Sequence, residues 1–258
     1  MPYRRLPTTD KARLRALESA LKAASGKNTE RLAFSKHTLY NLQNIKTSFE
    51  NCLIHHELDI KIESEKFADY KEAFRKAKLY ISHFIQTLYM SIEREELKNE
   101  ILPYYSLSEM DFKLPLLNTE EEILEWGRKV IEGEQKRILK GGSAIYNPSI
   151  ALVKVKVEDF REVAIFQHNL KRNVLRSFAK MQDERKKTND FISSMWTEIE
   201  DNLGKMPPQH KRQKGQEYGI VYVFRRNEKK KLKLQGMQVD LFFDFNWMWP
   251  KFLRSSKQ

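Results

Sequence analysis

The stretch that decides the fold is residues 39–88, LYNLQNIKTSFENCLIHHELDIKIESEKFADYKEAFRKAKLYISHFIQTL. Its apolar side chains recur three, four or seven residues apart: Leu39, Leu42, Phe49, Leu53, Ile60, Phe67, Tyr70, Phe74, Ala77, Ile81, Phe84 and Leu88. This spacing is typical of a helix that buries one stripe against another helix, here called the seam. No glycine or proline interrupts the chain between Gly26 and Pro103. The stretch therefore predicts a long helical segment with apolar side chains along one face.

The second half of the chain resembles the first when it is shifted by 111 residues. Identical or similar residues coincide at several seam positions: Leu42 with Val153, Phe49 with Phe160, Phe67 with Phe178, and Ile81 with Ile192. A second stretch without glycine or proline runs from Pro148 to Gly204. We interpret this as an internal duplication, which predicts two copies of one helical unit related by a pseudo-two-fold axis.

The middle of each long segment allows two interpretations. Polar residues interrupt the seam at or near matching places: His56 and Glu63, then Gln167 and Lys171. They favour a helical hairpin that bends near 57–65 and near 168–176, with Ser64 as a helix cap. The alternative is one unbroken helix of about 60 residues per copy. We expect the hairpin, because a compact bundle would bury a second apolar flank that includes Ile54.

Each copy begins with a shorter helix. The first spans residues 10–24, and the second starts at Thr119, where Glu122 completes the pattern of a capping box. Asn147-Pro148 predicts the start of the long segment in the second copy, because proline is tolerated at the first helical position. After the long segments, Tyr105-Ser106-Leu107 and Tyr218-Gly219-Ile220 are similar, and we expect them to form paired extended segments.

Four stretches resemble an uncharacterised family of bacterial all-helical proteins: KLYISHFIQ (78–86), LNTEEEILEWG (117–127), GGSAIYNPSIALVKV (141–155) and EYGIVYVFR (217–225). The resemblance covers most of residues 1–226. It implies a helical, duplicated fold. It implies no activity and no catalytic residues, because none is assigned to that family.

The C-terminal part of the chain changes composition. Residues 204–233 hold ten Lys or Arg against two Glu, and aromatic residues alternate with polar ones after Val239. The alternation predicts a small β appendage. Basic residues interleaved with aromatics are typical of nucleic-acid binding. The candidate residues are Lys211, Arg212, Lys214, Arg225, Arg226, Lys229, Lys230, Lys231, Lys233, Trp247 and Trp249. The alternative is a solvated basic surface over a structural aromatic cluster.

Motifs of enzymes and cofactor sites are absent: the sequence has no GxGxxG, GxxxxGK[ST], GxSxG, HExxH or CxxC. His55 and Asp59 are four residues apart and could share a metal on one helix face, but a surface histidine is the simpler interpretation. Cys52 is the single cysteine, and its apolar context favours a small buried side chain over a nucleophile. We therefore expect no cofactor, and no motif in the sequence supports an enzymatic activity. A bundle enzyme or metal protein centred on His55 to Asp59 is a third hypothesis, beside the two given below.

Composition limits the remaining classes. The 258 residues carry 47 Lys+Arg against 35 Asp+Glu, a net charge of +12, with 40% hydrophobic residues and one cysteine. A disordered polyelectrolyte and a disulfide framework are excluded. The chain opens without an apolar signal segment and contains no stretch of 18 apolar residues. We expect a cytoplasmic protein that does not span a membrane.

These observations predict a mostly α, internally duplicated helical bundle, made of two copies of a short helix plus a long helical hairpin, with a small C-terminal β appendage. The expected divisions are repeat 1 at 6–116, repeat 2 at 117–226 and a basic, aromatic tail at 227–258. The favoured function is a non-enzymatic scaffold or adaptor that binds a protein partner or itself. The alternative is a nucleic-acid-binding accessory protein that uses the C-terminal segment.

Overall fold

The computed structural model describes residues 3–25, 32–107 and 113–225. The fold is mostly α, as predicted. Its helices are α1 Asp10–Ala24, α2 Lys36–Glu93, a 3-10 helix Asn99–Tyr105, α3 Glu120–Leu139, α4 Ile150–Asn202 and α5 Pro208–Glu217. Two short strands, β1 Tyr3–Arg4 and β2 Tyr222–Val223, pair antiparallel. The alternating aromatic segment after Val239 lies outside the described residues.

The long segments are continuous helices, so the predicted hairpins at 57–65 and 168–176 are wrong. The polar seam residues that suggested a bend contact the opposite helix instead. His56 Nδ1 lies 3.0 Å from Ser177 Oγ, and Gln167 Nε2 donates to Glu63 Oε1 at 2.6 Å. Pairing across a helix interface offsets much of the cost of burying polar groups, although Gln167 Oε1 is buried without a hydrogen-bond partner. These contacts allow both helices to continue through these positions.

Two local predictions about helix ends are also wrong. Ser64 does not cap a helix, because its hydroxyl donates to the Lys61 carbonyl inside α2 at 2.8 Å. The helix α4 begins at Ile150 and not at Asn147-Pro148, and Ser149 occupies the position before its first residue. By contrast, α1 has the predicted bounds, and the capping box of Thr119 and Glu122 at the start of α3 is confirmed.

The chain forms two compact units, which cut across the predicted repeats 6–116 and 117–226. Among the described residues, unit 1 comprises 3–25, 32–51 and 182–225, and unit 2 comprises 52–107 and 113–181. Unit 1 contains α1, the beginning of α2, the end of α4, and α5. Unit 2 contains the end of α2, the 3-10 helix, α3 and the beginning of α4.

The core of unit 1 forms around α1. Leu17 and Ala20 are fully buried together with Trp196 and Ile199 from the end of α4. The first turn of α1 is held by charge, because Arg185 Nη2 lies 2.6 Å from Asp10 Oδ2. This contact fixes α1 to α4 at the end where its apolar stripe begins.

The core of unit 2 forms around α3. Phe160 is fully buried between Tyr70 and Phe74, with ring centroids 5.8 and 5.5 Å away. A side chain at Gly127 would come within 2.8 Å of Val157, so glycine is what allows α3 to lie this close to α4. In both units a short helix packs on two long ones.

The two similar segments predicted as extended are helix-terminating turns, so that prediction is wrong. Ser106 and Gly219 both have positive φ, 59° and 84°. In both turns the next amide donates five residues back, from Leu107 to Leu102 and from Ile220 to Gly215. This is the Schellman pattern that ends a helix. Such matched turns agree with an internal duplication, which stays a prediction.

The four phenylalanines that the 111-residue shift pairs differ in how deeply they are buried. Phe49 and Phe160 are both fully buried, as a shared seam position requires. Phe67 is only partly buried and Phe178 is 43% exposed, so the expectation that all four are core residues is wrong.

Candidate functional site

Three of the predicted basic residues lie on one short helix. Lys211, Arg212 and Lys214 belong to α5, and Arg225 follows β2. The other candidates lie outside the described residues: Arg226, Lys229, Lys230, Lys231, Lys233, Trp247 and Trp249. The structure thus brings the described part of the predicted nucleic-acid site into unit 1.

Side chains around α5 are partly engaged with neighbours. The Arg212 guanidinium lies 5.8 Å from the centre of the Phe224 ring, and Lys214 Nζ lies 3.7 Å from Glu217 Oε2. An open groove beside them is lined by Met206, Pro207, His210, Gln213, Lys214 and Glu217. The groove lining includes the imidazole ring of His210, and the Phe224 ring lies beside Arg212. The described part of this surface therefore combines positive charge with two rings on which a base could stack.

A buried polar cluster in unit 2 was missed by sequence reasoning. Glu134 and Arg137 on α3 are almost completely buried. Arg137 Nη2 lies 2.8 Å from Glu134 Oε1, and the Tyr105 hydroxyl donates to Glu134 Oε2. Arg137 Nε donates to the Tyr105 oxygen at 2.9 Å, and Arg137 Nη2 donates to the Ser143 carbonyl at 2.6 Å. The Ile145 amide donates to Glu134 Oε1 at 3.1 Å. The cluster ties α3 to the 3-10 helix and to the loop before α4.

The electrostatics of this cluster indicate a structural role. Burial alone would raise the pKa of Glu134, but hydrogen bonds from Arg137, Tyr105 and the Ile145 amide hold that pKa below its ordinary value. Burial, followed by the bond to Glu134, raises the pKa of Tyr105, so its hydroxyl stays protonated and donates. The carboxylate is therefore ionised and fully bonded. From sequence alone, Glu134 and Arg137 look like an ordinary pair on a helix surface.

The predicted metal and thiol candidates gain no support. Within the described ranges, no group of three or more His, Cys, Asp or Glu side chains is placed to hold a metal ion. His55 is exposed and Asp59 is partly buried on α2. Cys52 is partly buried and is not a disulfide partner. The prediction that His55 is a surface residue agrees with its exposure.

The midsection of the two long helices exposes large apolar side chains. We define the midsection as residues 52–66 of α2 and 165–181 of α4, both in unit 2. Eight of its apolar side chains are 43% to 68% exposed: Ile54, Leu58, Ile60, Ile62, Ile165, Phe166, Leu175 and Phe178. Ile54, Leu58 and Ile62 are spaced four residues apart, which places them along one helix face. The expected hairpin had assigned one member of this row, Ile54, to a buried flank.

The two halves of the midsection carry opposite charge. The α2 half has four acidic side chains, including Glu57 and Asp59, against two basic ones. The α4 half has four basic side chains, including Arg172 and Arg176, and no acidic one. The surface therefore combines exposed apolar groups with an acidic and a basic side.

Comparison of the chain with protein-family models, with curated proteins and with solved structures finds no match. The resemblance to a bacterial all-helical family thus stays a prediction. None of the helices described in the structure is both long enough and apolar enough to cross a lipid bilayer.

Proposed function

We propose that the protein is a non-enzymatic, cytoplasmic helical scaffold that binds another protein surface through the midsection. This proposal rests on the eight half-exposed apolar side chains on adjoining stretches of α2 and α4. Scattered apolar side chains are normal on a protein surface, whereas a concentration of them marks an interaction site. The long helices provide the rigid support that a scaffold requires.

The magnitude of the apolar effect is modest. Covering a half-exposed Leu, Ile or Phe is worth about 1 kcal/mol, so eight such side chains supply roughly 8 kcal/mol. Association costs on the order of 4–15 kcal/mol in lost translational and rotational freedom. Apolar burial alone would therefore give weak binding. Charged groups around the apolar side chains must contribute to affinity and to the choice of partner.

Site-specific photo-crosslinking tests this function. A photoreactive phenylalanine derivative replaces Leu58 or Leu175, and Met90 serves as the control because it is an equally exposed apolar residue of α2 outside the midsection. In cells that naturally express the protein, we expect a discrete protein adduct from positions 58 and 175 and none from position 90. Mass spectrometry identifies the partner. Absence of any adduct above the control would contradict the scaffold function.

The arrangement on α5 favours nucleic-acid binding as a second candidate. Lys211, Arg212 and Lys214 lie within one turn of each other, and the basic segment continues beyond Arg225. If these groups neutralise phosphates, the affinity for a single-stranded oligonucleotide should fall steeply with salt. Changing all three α5 residues to glutamine should flatten the logarithmic slope by roughly 0.7 per lost contact.

A matched variant makes this second test specific. Lys11→Gln with Lys22→Gln removes two exposed charges from α1 and should leave the salt slope unchanged. Removal of residues 227–258 measures what the tail adds. If the full chain does not bind at low salt, the basic segment is a solvated surface and the second candidate fails.

A further inference from the structure

Several charged side chains of the midsection have no charged partner. Among the residues that the structure describes, Arg172, Arg176 and Lys180 form no ion pair, and neither do Glu57 and Asp59. The three basic residues are spaced four apart, so they form one row along α4. Lys61 and Glu65, by contrast, form an exposed ion pair with each other within α2. These unpaired charges thus lie on the same surface as the exposed apolar groups.

The sign of these charges limits which surfaces can meet. The α4 half of the midsection carries a net charge of +4, so it would repel another α4 half. The α2 half carries −2 and would repel its own copy in the same way. Only an α2 half facing an α4 half brings opposite charges together. The same chain supplies both halves, so a two-fold arrangement of two copies makes this favourable contact twice.

We propose that the midsection is the contact surface of a homodimer, in which the α2 half of each copy packs on the α4 half of the other. The inference rests on the proposed scaffold function and names its partner as a second copy of this chain. The apolar rows then become covered, including Leu58 on α2 and Leu175 on α4. Opposite charges fix the register and disfavour the two like-charged alternatives.

Charge reversal of the full chain tests the pairing. The α4 variant carries Arg172→Glu, Arg176→Glu and Lys180→Glu, and changes that half from +4 to −2. The α2 variant carries Glu57→Arg and Asp59→Arg, and changes that half from −2 to +2. Each variant alone places like charges opposite each other. The combined variant restores opposite charges with the two signs exchanged.

Sedimentation equilibrium at low salt measures the outcome. The unaltered chain should have twice its monomer mass of 30.7 kDa. Each single-sided variant should raise the dimer dissociation constant at least about tenfold, and the combined variant should return it to within about threefold of the original. The control, Lys154→Glu with Lys186→Glu, reverses two exposed charges of α4 outside the midsection and should leave the dimer intact.

Several results would overturn the homodimer. A monomer mass for the unaltered chain at about 100 μM protein would do so. So would a dimer that neither single-sided variant weakens, or a combined variant that stays as weak as either one. If a variant loses helicity by circular dichroism, the unaltered dimer is tested instead, and it should weaken as ionic strength rises from about 0.05 to about 0.5 M. A dimer indifferent to salt would contradict the charge pairing.

The two proposals fail separately. A monomeric chain whose position 58 still gives an adduct with a different protein would contradict the homodimer and leave the scaffold function standing. Absence of any adduct would contradict the scaffold function itself.

Discussion

Replacing Glu134 by glutamine should destabilise unit 2 strongly. The carboxylate is fully buried and accepts hydrogen bonds from Tyr105, from the Ile145 amide and from two nitrogens of Arg137. Glutamine keeps the volume, so no cavity forms and the loss is electrostatic. Removing one member of a buried ion pair typically costs about 3–5 kcal/mol, because the remaining charge stays buried without compensation. The neutral glutamine offers one carbonyl oxygen in place of two charged oxygens, so the Arg137 guanidinium keeps hydrogen-bond acceptors but loses its counter-charge.

Urea denaturation, monitored by circular dichroism, measures the decrease in the free energy of unfolding. Hydrogen exchange of the α3 amides shows whether the lost stability is in unit 2. Glu132→Gln is the matched control, because Glu132 lies on the same helix in an exposed pair with Arg128. It should change stability by less than about 0.5 kcal/mol. Equal stability of the two variants would refute the account of the buried cluster.

The same substitution should alter the pH dependence of stability. The pKa of folded Glu134 lies below its ordinary value of 4.5, so ionisation stabilises the folded state above that pH. This contribution is lost as the pH falls through the lowered pKa. The unaltered protein should therefore lose stability more steeply below pH 4.5 than the glutamine variant. Parallel profiles from acid titrations of the two proteins would contradict the lowered pKa.

Other substitutions test the fold at single positions. Phe160→Ala should cost about 3–5 kcal/mol in urea denaturation, whereas Phe178→Ala, at a 43% exposed position, should cost roughly 1 kcal/mol; equal losses would contradict the assigned burial. Lys61→Pro should cost about 3 kcal/mol or more, because α2 is continuous there, and a neutral effect on the melting temperature would restore the hairpin. Asp10→Asn should lower the free energy of unfolding by about 1–3 kcal/mol, because Asp10 pairs with two arginines. Asp69→Asn, in an exposed pair, should lower it by less than about 0.5 kcal/mol. Similar denaturation midpoints of the two variants would argue against a role for charge at the start of α1.

Much of the helical architecture was predictable from local sequence. The bounds of α1 and the capping box at Thr119 and Glu122 depend on residues close in the chain, and both predictions are confirmed. The matched positions of Phe49 and Phe160 follow from the 111-residue shift of the sequence, and both residues are fully buried. Local signals were sufficient for these features, whereas the local predictions of a cap at Ser64 and of a helix start at Asn147-Pro148 are wrong.

Predictions failed where the partner is distant in sequence. His56 suggested a bend because spacing does not reveal Ser177, which satisfies it from α4. Glu134 and Arg137 resemble a surface pair until the 3-10 helix places Tyr105 between them and solvent. The exposed midsection was missed for the same reason, since a hairpin would have covered it. Part of the basic candidate site, from Arg226 onward, lies outside the described residues and stays a prediction.

The most direct test of the central claim is zero-length carbodiimide cross-linking of a mixed dimer. Equal amounts of ¹⁵N-labelled and unlabelled full chain are mixed, equilibrated and cross-linked. The reagent joins a carboxylate to a lysine only where the two are in contact. The account predicts mixed-isotope peptides that join Glu57 or Asp59 of one copy to Lys171 or Lys180 of the other. Cross-links that join these residues only within a single isotopic form, or no such cross-links, would contradict it.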